Sequence, residues 1–294
     1  MQNKIIEMLP KRVRSFISNS KLVETYRAKQ LAKTSKRIDI CAAQIAHLLH
    51  MCREINLENK VCFELGSGWV LSHALTFYLL GAKKVYASDL EPHAHFETLS
   101  LAVKNSITSI PRDILSPFSD YNQIRQRLTK LEKIEKFNKN NLNHLGIEYV
   151  SPLDLAKSPF DRKVDFIYSN SVLEHVQKSD VGDLLFNMGQ MLKENGQMLH
   201  AIHLEDHRDF QNKPFDFLSI DGSAYTPELQ ASRGNRIRYS QWMNEFKKIP
   251  NTLSKPVYAN HREVKLPSID KSIEHRGEED LKVSHLCVHT KNTK

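Results

Sequence analysis

The stretch "VCFELGSGWVLSHALTFYLLGAKKVYASDLEP", residues 61–92, decides the fold. Apolar residues 61–65 read as a buried strand, and "GSG" supplies a tight turn. A helix follows over about 70–81, closed by Gly81, and a second strand at 84–88 ends in acid at Asp89. Two strands joined by a crossover helix predict a parallel βαβ unit.

Outward from this unit the alternation continues. A helix after Pro92 ends near Asn105; "GIEYV" and "VDFIYSN" read as strands, residues 179–193 as a helix, and "GQMLHAIHL" as a further strand. Such alternation predicts an α/β fold with a doubly wound, mostly parallel sheet. Residues 106–145 interrupt the rhythm. There Ile124, Leu128, Leu131 and Ile134 form one stripe on a charged helix, which reads as an inserted helical cap rather than a sheet-covering helix. Residues 21–52 lack Gly and Pro, and residues 1–58 read as a helical, basic N-terminal segment. The core then spans 59–205, and 206–294 completes the sheet and the acceptor site. The run "LKVSHLCVHTK" is expected to be an edge strand with His285, Cys287 and His289 on one face.

The bulk numbers fit a globular chain. Of 294 residues, 40% are apolar and 26% charged. Four cysteines form no CxxC pair, so neither a disulfide framework nor a zinc knuckle is indicated, and a reducing cytoplasm is the expected location. No stretch has the length and apolarity of a membrane span. The net charge is +8, and residues 1–40 hold ten Lys or Arg against three acids. Such a front end suits an anionic partner, with a solvated helix face as the plain alternative.

In an open α/β sheet the ligand sits beyond the carboxyl ends of the strands, where "ELGSG" lies. Gly66 and Gly68 admit close approach of a ligand to the backbone, and Asp89 suits the hydroxyls of a ribose. A dinucleotide would want GxGxxG, but the sixth position is Leu71, and Glu64 would repel a pyrophosphate. S-adenosylmethionine (SAM) carries a sulfonium and an ammonium beside its ribose, and Glu64 with Asp89 suits that cation better.

Four segments in order, "FELGSGW", "VYASDLEP", "IEYVSPLDL" and "DFIYSNSVLEHV", resemble the class I SAM-dependent methyltransferases over roughly residues 60–205. The resemblance implies a seven-stranded Rossmann-like sheet and SAM as cofactor. It also implies a methionine-side loop of Glu64, Gly66, Ser67 and Gly68, with Asp89 and Leu90 beside the ribose. Asp154 would meet the adenine amino group, Leu153 or Leu155 would pack on the ring, and Asn170 and Ser171 would line the floor under the methyl group. Val70 replaces the third glycine of the family's GxGxG. "SNSV" replaces an N-P-P-Y type motif, which argues against amino-group methylation of nucleobases or glutamine.

The acceptor chemistry is expected in "HAIHLEDHRD". Its pattern resembles an H-x-I-D-x-x-D-H motif of some bacterial methyltransferases: His200, Asp206 and His207 match, while His203 replaces the acid. His207 is expected to act as general base with Asp206 orienting it, and His200 and His203 are further candidates. Glu174 and His175 read equally well as the polar face of a short helix. No metal is assigned, because Glu205 is misplaced for HExxH and the segment begins extended. Arg233, Arg236 and Arg238 in "SRGNRIRYSQW" offer a clamp for an anionic acceptor or a plain solvated turn. The expected acceptor is a small-molecule hydroxyl on a sugar, lipid or secondary metabolite. RNA methylation and a non-catalytic SAM-binding scaffold are the alternatives, and a Rossmann oxidoreductase ranks below them.

Overall fold

The computed structural model describes residues 37–106 and 111–294. Most of the basic front end therefore lies outside the described residues. Seven strands form one sheet in the order β3-β2-β1-β4-β5-β7-β6. They are β1 Val61–Leu65, β2 Lys84–Ser88, β3 Ile147–Val150, β4 Val164–Asn170, β5 Leu192–His203, β6 Thr252–His261 and β7 Val283–Asn292. Strands β1 to β5 pair in parallel, and β7 runs antiparallel to both β5 and β6. The alternating pattern thus delivers the doubly wound, mostly parallel sheet. Strand β7 is not at the edge, however: β6, unforeseen in the sequence, lies outside it.

Helices cover both faces. On one face lie α1 (Arg37–Met51), α2 (Ser72–Leu79) and α3 (Phe96–Ser106). On the other lie α7 (Val181–Met191) and α9 (Tyr239–Lys247), whose Leu184, Met188, Trp242 and Phe246 pack on Phe63, Ile167 and Met198. Helix α2 is enclosed between the sheet and α1: all eight of its residues are buried, and the polar ones find partners, as Thr76 does on Ser72 O and His73 on Glu64. Each of its large apolar side chains contributes about 1.5–3 kcal/mol by leaving water.

Between β2 and β3 the chain forms α4 (Pro111–Leu115), α5 (Tyr121–Glu132) and α6 (Lys139–His144). The insertion is helical, but α5 packs on α2 through Ile124 and Leu131, and Arg127 donates to the carbonyls of Tyr78 and Ala82. It thickens the helical layer on that face instead of covering the strand tips. Among the described residues the remaining α-helices are α8 (Pro227–Arg233) and α10 (Glu278–Leu281). All four cysteines are free and buried.

Candidate active site

The turn after β1 is built against β2. The amides of Gly66 and Ser67 both donate to Ser88 O, at 2.8 and 2.9 Å, which folds the loop over the neighbouring strand. Gly66 and Gly68 have φ of +73° and +63°. At Gly66 a Cβ would stand 2.4 Å from Val172 Cγ2, whereas around Gly68 the space a side chain would take is open for 4 Å. Gly66 therefore packs the loop on the segment after β4, and Gly68 borders a cradle. Leu71, at the sixth position of the glycine pattern, is a non-glycine residue at φ +47° and is fully buried.

Leu71 offers α2 no capping side chain, and Glu64 takes that task from the adjacent strand. Its Oε2 accepts from the Ala74 amide and its Oε1 lies 3.1 Å from His73 Nδ1. His73 Nε2 meets Gln44 Oε1 at 3.3 Å, so both ring nitrogens face acceptors. Burial opposes the charge, but Cys41 and Glu64 outweigh it and raise His73 to about 10. The Glu64 carboxylate is thus engaged on both oxygens, supporting the loop from below at the positive end of α2.

Asp89 is the acid that borders the cradle. Its Oδ1 accepts from the Gly68 amide and its Oδ2 from the Tyr149 hydroxyl, each at 3.1 Å. Burial is the main cause that lifts its pKa to about 6, against the lowering effect of those two donors. Beside it Leu90 is 61% exposed, an apolar surface left open next to the carboxylate. Leu153 is tied to the same place by its amide on Asp89 O at 3.0 Å. Asp154 accepts from the Ala156 amide and pairs with Lys157, so it also caps its own turn. Asn170 ends β4, and Ser171 follows exposed at φ +53°. The Ser67 hydroxyl is buried without a hydrogen-bond partner.

A second group of polar residues stands at the tips of β4 and β5. His203 Nε2 lies 2.8 Å from Glu205 Oε2, and the other Glu205 oxygen accepts from Arg262 at 2.9 Å. Burial opposes ionisation of Glu205, but His203, His285 and Arg262 prevail and hold its carboxyl below the ordinary value. The His203 ring stacks on His285 of β7 (centroids 4.4 Å) and meets His207 edge-on at 4.6 Å. His207 in turn meets His175 at 4.5 Å, and its Nε2 lies 3.5 Å from Glu174 Oε1. Four histidines and two buried carboxylates so converge from "VLEHV", β5 with its following loop, and β7.

The expected catalytic residues separate in space. His203 and His207 belong to this group. His200 does not: it is fully buried on the opposite face against Phe246, its Nδ1 is 2.8 Å from Ser169 Oγ, and burial lowers its pKa to about 3. Asp206 does not reach His207 but holds Arg233 through a two-point ion pair, and the carboxylate beside His207 is Glu174. Neither do the other two arginines form a clamp. Arg238 is buried and donates to the carbonyls of Leu204, Leu281 and Val283; Arg236 stacks on Tyr225 at 3.8 Å and donates to Ile220 O. Sequence reading passed over His73, Tyr149 and Arg262 as site residues. The polar residues at 174 and 175, just past a strand tip, were the available signal for the histidine group.

A glycine loop after β1, an acid after β2 and this strand order define a Rossmann-like, class I SAM-dependent methyltransferase. The chain belongs to the family described as "Methyltransferase domain", whose pattern matches residues 36–251. As a member of that family it is an enzyme of methyl transfer, and SAM is its cofactor. Similar solved chains include the N-methyltransferase NodS of Bradyrhizobium japonicum in complex with S-adenosyl-L-homocysteine: 11% identity, 94% of this chain and 91% of that one covered, TM-score 0.39. A candidate O-methyltransferase of Nostoc punctiforme shares 12% identity over 89% of this chain and 59% of that one (TM-score 0.45). The candidate methyltransferase in complex with the Haloferax volcanii Trm112 methyltransferase activator shares 13% over 92% and 97% (TM-score 0.46). No curated protein sequence matches the chain significantly. Among the described residues no helix is long and apolar enough to cross a membrane.

The residues present fit the cofactor. The open space at Gly68, the unpartnered Ser67 hydroxyl and the buried Asp89 supply a cradle, a spare polar group and an acceptor for ribose hydroxyls.

Proposed function

We propose that the enzyme methylates a hydroxyl of a small-molecule acceptor held between the glycine loop and the histidine group. Gly66, Ser67 and Gly68 receive the methionine side of SAM, Asp89 takes the ribose, and Leu90, Leu153 and Asp154 flank the adenine. Asn170 and Ser171 form the floor. Glu64 acts indirectly, by capping α2 and fixing the loop. When bound, SAM supplies a methyl group on a sulfonium, ready for in-line displacement.

What remains for the chain is to orient the acceptor, exclude water and take a proton. The His203–Glu205 pair suits the last task. A carboxylate only accepts, so His203 donates Nε2–H to Glu205 and leaves Nδ1 to receive the proton. The observation that carries this reading is the convergence of histidines at the tips of β4 and β5, next in the sheet to the strand that carries the loop.

The test is incubation with methyl-labelled SAM and a panel of hydroxylated sugars, phenols and lipids. Label should appear as a methyl ether, and His203→Gln should lower kcat while leaving the affinity for S-adenosylhomocysteine unchanged. Label on nitrogen, or an unaffected rate in His203→Gln, would overturn the assignment. RNA is the second reading, favoured by the net charge of +8. It predicts RNA binding that weakens steeply with salt.

A further inference from the structure

Glu174 presents an anomaly. Its side chain is buried, with residue exposure of 1%, and only one of its oxygens is satisfied: Oε1 accepts from the His203 amide at 3.2 Å. Oε2 is buried with no hydrogen-bond partner, and so is His207 Nε2. Both orphans belong to one carboxylate–imidazole pair, in which His207 Nε2 is 3.5 Å from the other carboxylate oxygen, Glu174 Oε1, without a hydrogen bond between them. Leaving a carboxylate oxygen dry and unpaired costs several kcal/mol unless a cation or donor occupies the gap.

A third ligand atom completes the arrangement. His175 Nδ1 lies 2.7 Å from Ala231 O, and a carbonyl only accepts, so Nδ1 carries the hydrogen and Nε2 keeps its lone pair. A histidine fixed by a carbonyl at one nitrogen is the usual posture of a metal ligand. Single ligand atoms of Glu174, His175 and His207 all lie within 4.8 Å of one another.

We infer that Glu174, His175 and His207 bind one divalent transition-metal ion of the zinc class. Two imidazoles and one carboxylate are donors of the type used by catalytic zinc, which keeps a fourth position open. The neighbouring trio of His203, Glu205 and His285 is a poorer site, because Arg262 already neutralises Glu205 at 2.9 Å. The site stands on geometry alone. Its use, holding the acceptor hydroxyl at the open position beside His203, rests on the function proposed above. On this assignment His207 is a ligand, and the proton passes to His203.

The experiment uses the tag-free full chain, stripped with a chelator and returned to Zn2+ alone. Calorimetry should show one saturable Zn2+ equivalent, and Co2+ in its place should give the visible absorption of a low-coordinate nitrogen–oxygen site. Glu174→Gln and His207→Ala should each weaken Zn2+ binding more than about tenfold, and His285→Ala should not. Melting of the wild type should rise with Zn2+, a readout that needs no variant to fold. Absence of saturable binding in the wild type, or loss of binding in His285→Ala with retention in His207→Ala, would overturn the site. S-adenosylhomocysteine binding, measured on the same samples, reports separately on the methyltransferase reading.

Discussion

Replacing each glycine of the loop by alanine separates packing from ligand access. At Gly66 the new methyl group stands 2.4 Å from Val172 Cγ2, and the residue sits at φ +73°. The left-handed backbone costs about 1–2 kcal/mol for a residue with a Cβ. Overpacking against a side chain rooted in a buried segment costs about 1–3 kcal/mol more. Gly66→Ala should therefore lose about 2–5 kcal/mol of stability, a large share of the roughly 5–15 kcal/mol typical of a folded domain. At Gly68 φ is +63° and no atom lies within 4 Å, so only the backbone cost of about 1–2 kcal/mol applies. In a chain of this size that is a fall in Tm of only a few degrees. Its added methyl group projects into the cradle assigned to the methionine side of SAM. Gly68→Ala should thus fold and melt nearly as the wild type yet bind S-adenosylhomocysteine much more weakly. Differential scanning calorimetry and titration calorimetry on both variants decide the matter. Wild-type affinity in Gly68→Ala would show that the cofactor does not use that space.

Other outcomes follow from the same geometry. Asp89→Ala should weaken S-adenosylhomocysteine binding by about 10- to 100-fold, the value of about 1.5–3 kcal/mol for hydrogen bonds to a charged acceptor. Because burial lifts Asp89 to about 6, binding to the wild type should fall as pH drops through 6, and Asp89→Asn should flatten that dependence in a pH series of titrations. Arg238→Met leaves the carbonyls of Leu204, Leu281 and Val283 unpaired in the interior and should cost about 3–5 kcal/mol in urea unfolding. His200 stays neutral in the fold down to about pH 3, whereas the unfolded chain protonates it near 6.5. Stability should accordingly decline as pH falls from 6.5 toward 3, and His200→Gln should reduce that slope in acid denaturation.

The parallel half of the fold was legible because its signals are local. Strand β1, the glycine turn and Gly81 mark one βαβ unit with little ambiguity, and β2 and β4 fall where their apolar runs lie. The antiparallel end was harder. The run 283–292 alternates like an exposed edge strand, yet β6 covers it. The true edge, "TLSKPVYANH", carries Lys255 and Pro256, residues that guard an edge against further pairing. The helices of 106–145 were readable as helices, but the sequence did not show that Ile124 and Leu131 would pack on α2 or that Arg127 would meet the carbonyls of Tyr78 and Ala82. In the site, adjacency along the chain misled. Asp206 and His207 are neighbours in sequence, yet Asp206 turns to Arg233 and His207 to Glu174. Glu64 shows the same limit: a carboxylate before a glycine turn suggests a cationic ligand, and only the fold reveals that Ala74 and His73 already claim both oxygens.

Strand β6 precedes β7 in the chain but touches the sheet only through it. While the polypeptide emerges from the ribosome, residues 252–261 therefore have no partner to join until 283–292 arrive and slot in beside β5. The five parallel strands are able to assemble earlier, but His285 reaches His203 only with that final insertion. A nascent chain lacking it would hold the glycine loop and Asp89 beside an unfinished histidine group. Completion of the histidine group thus waits, by topology, on the arrival of β7, after the glycine loop and the five parallel strands have been made.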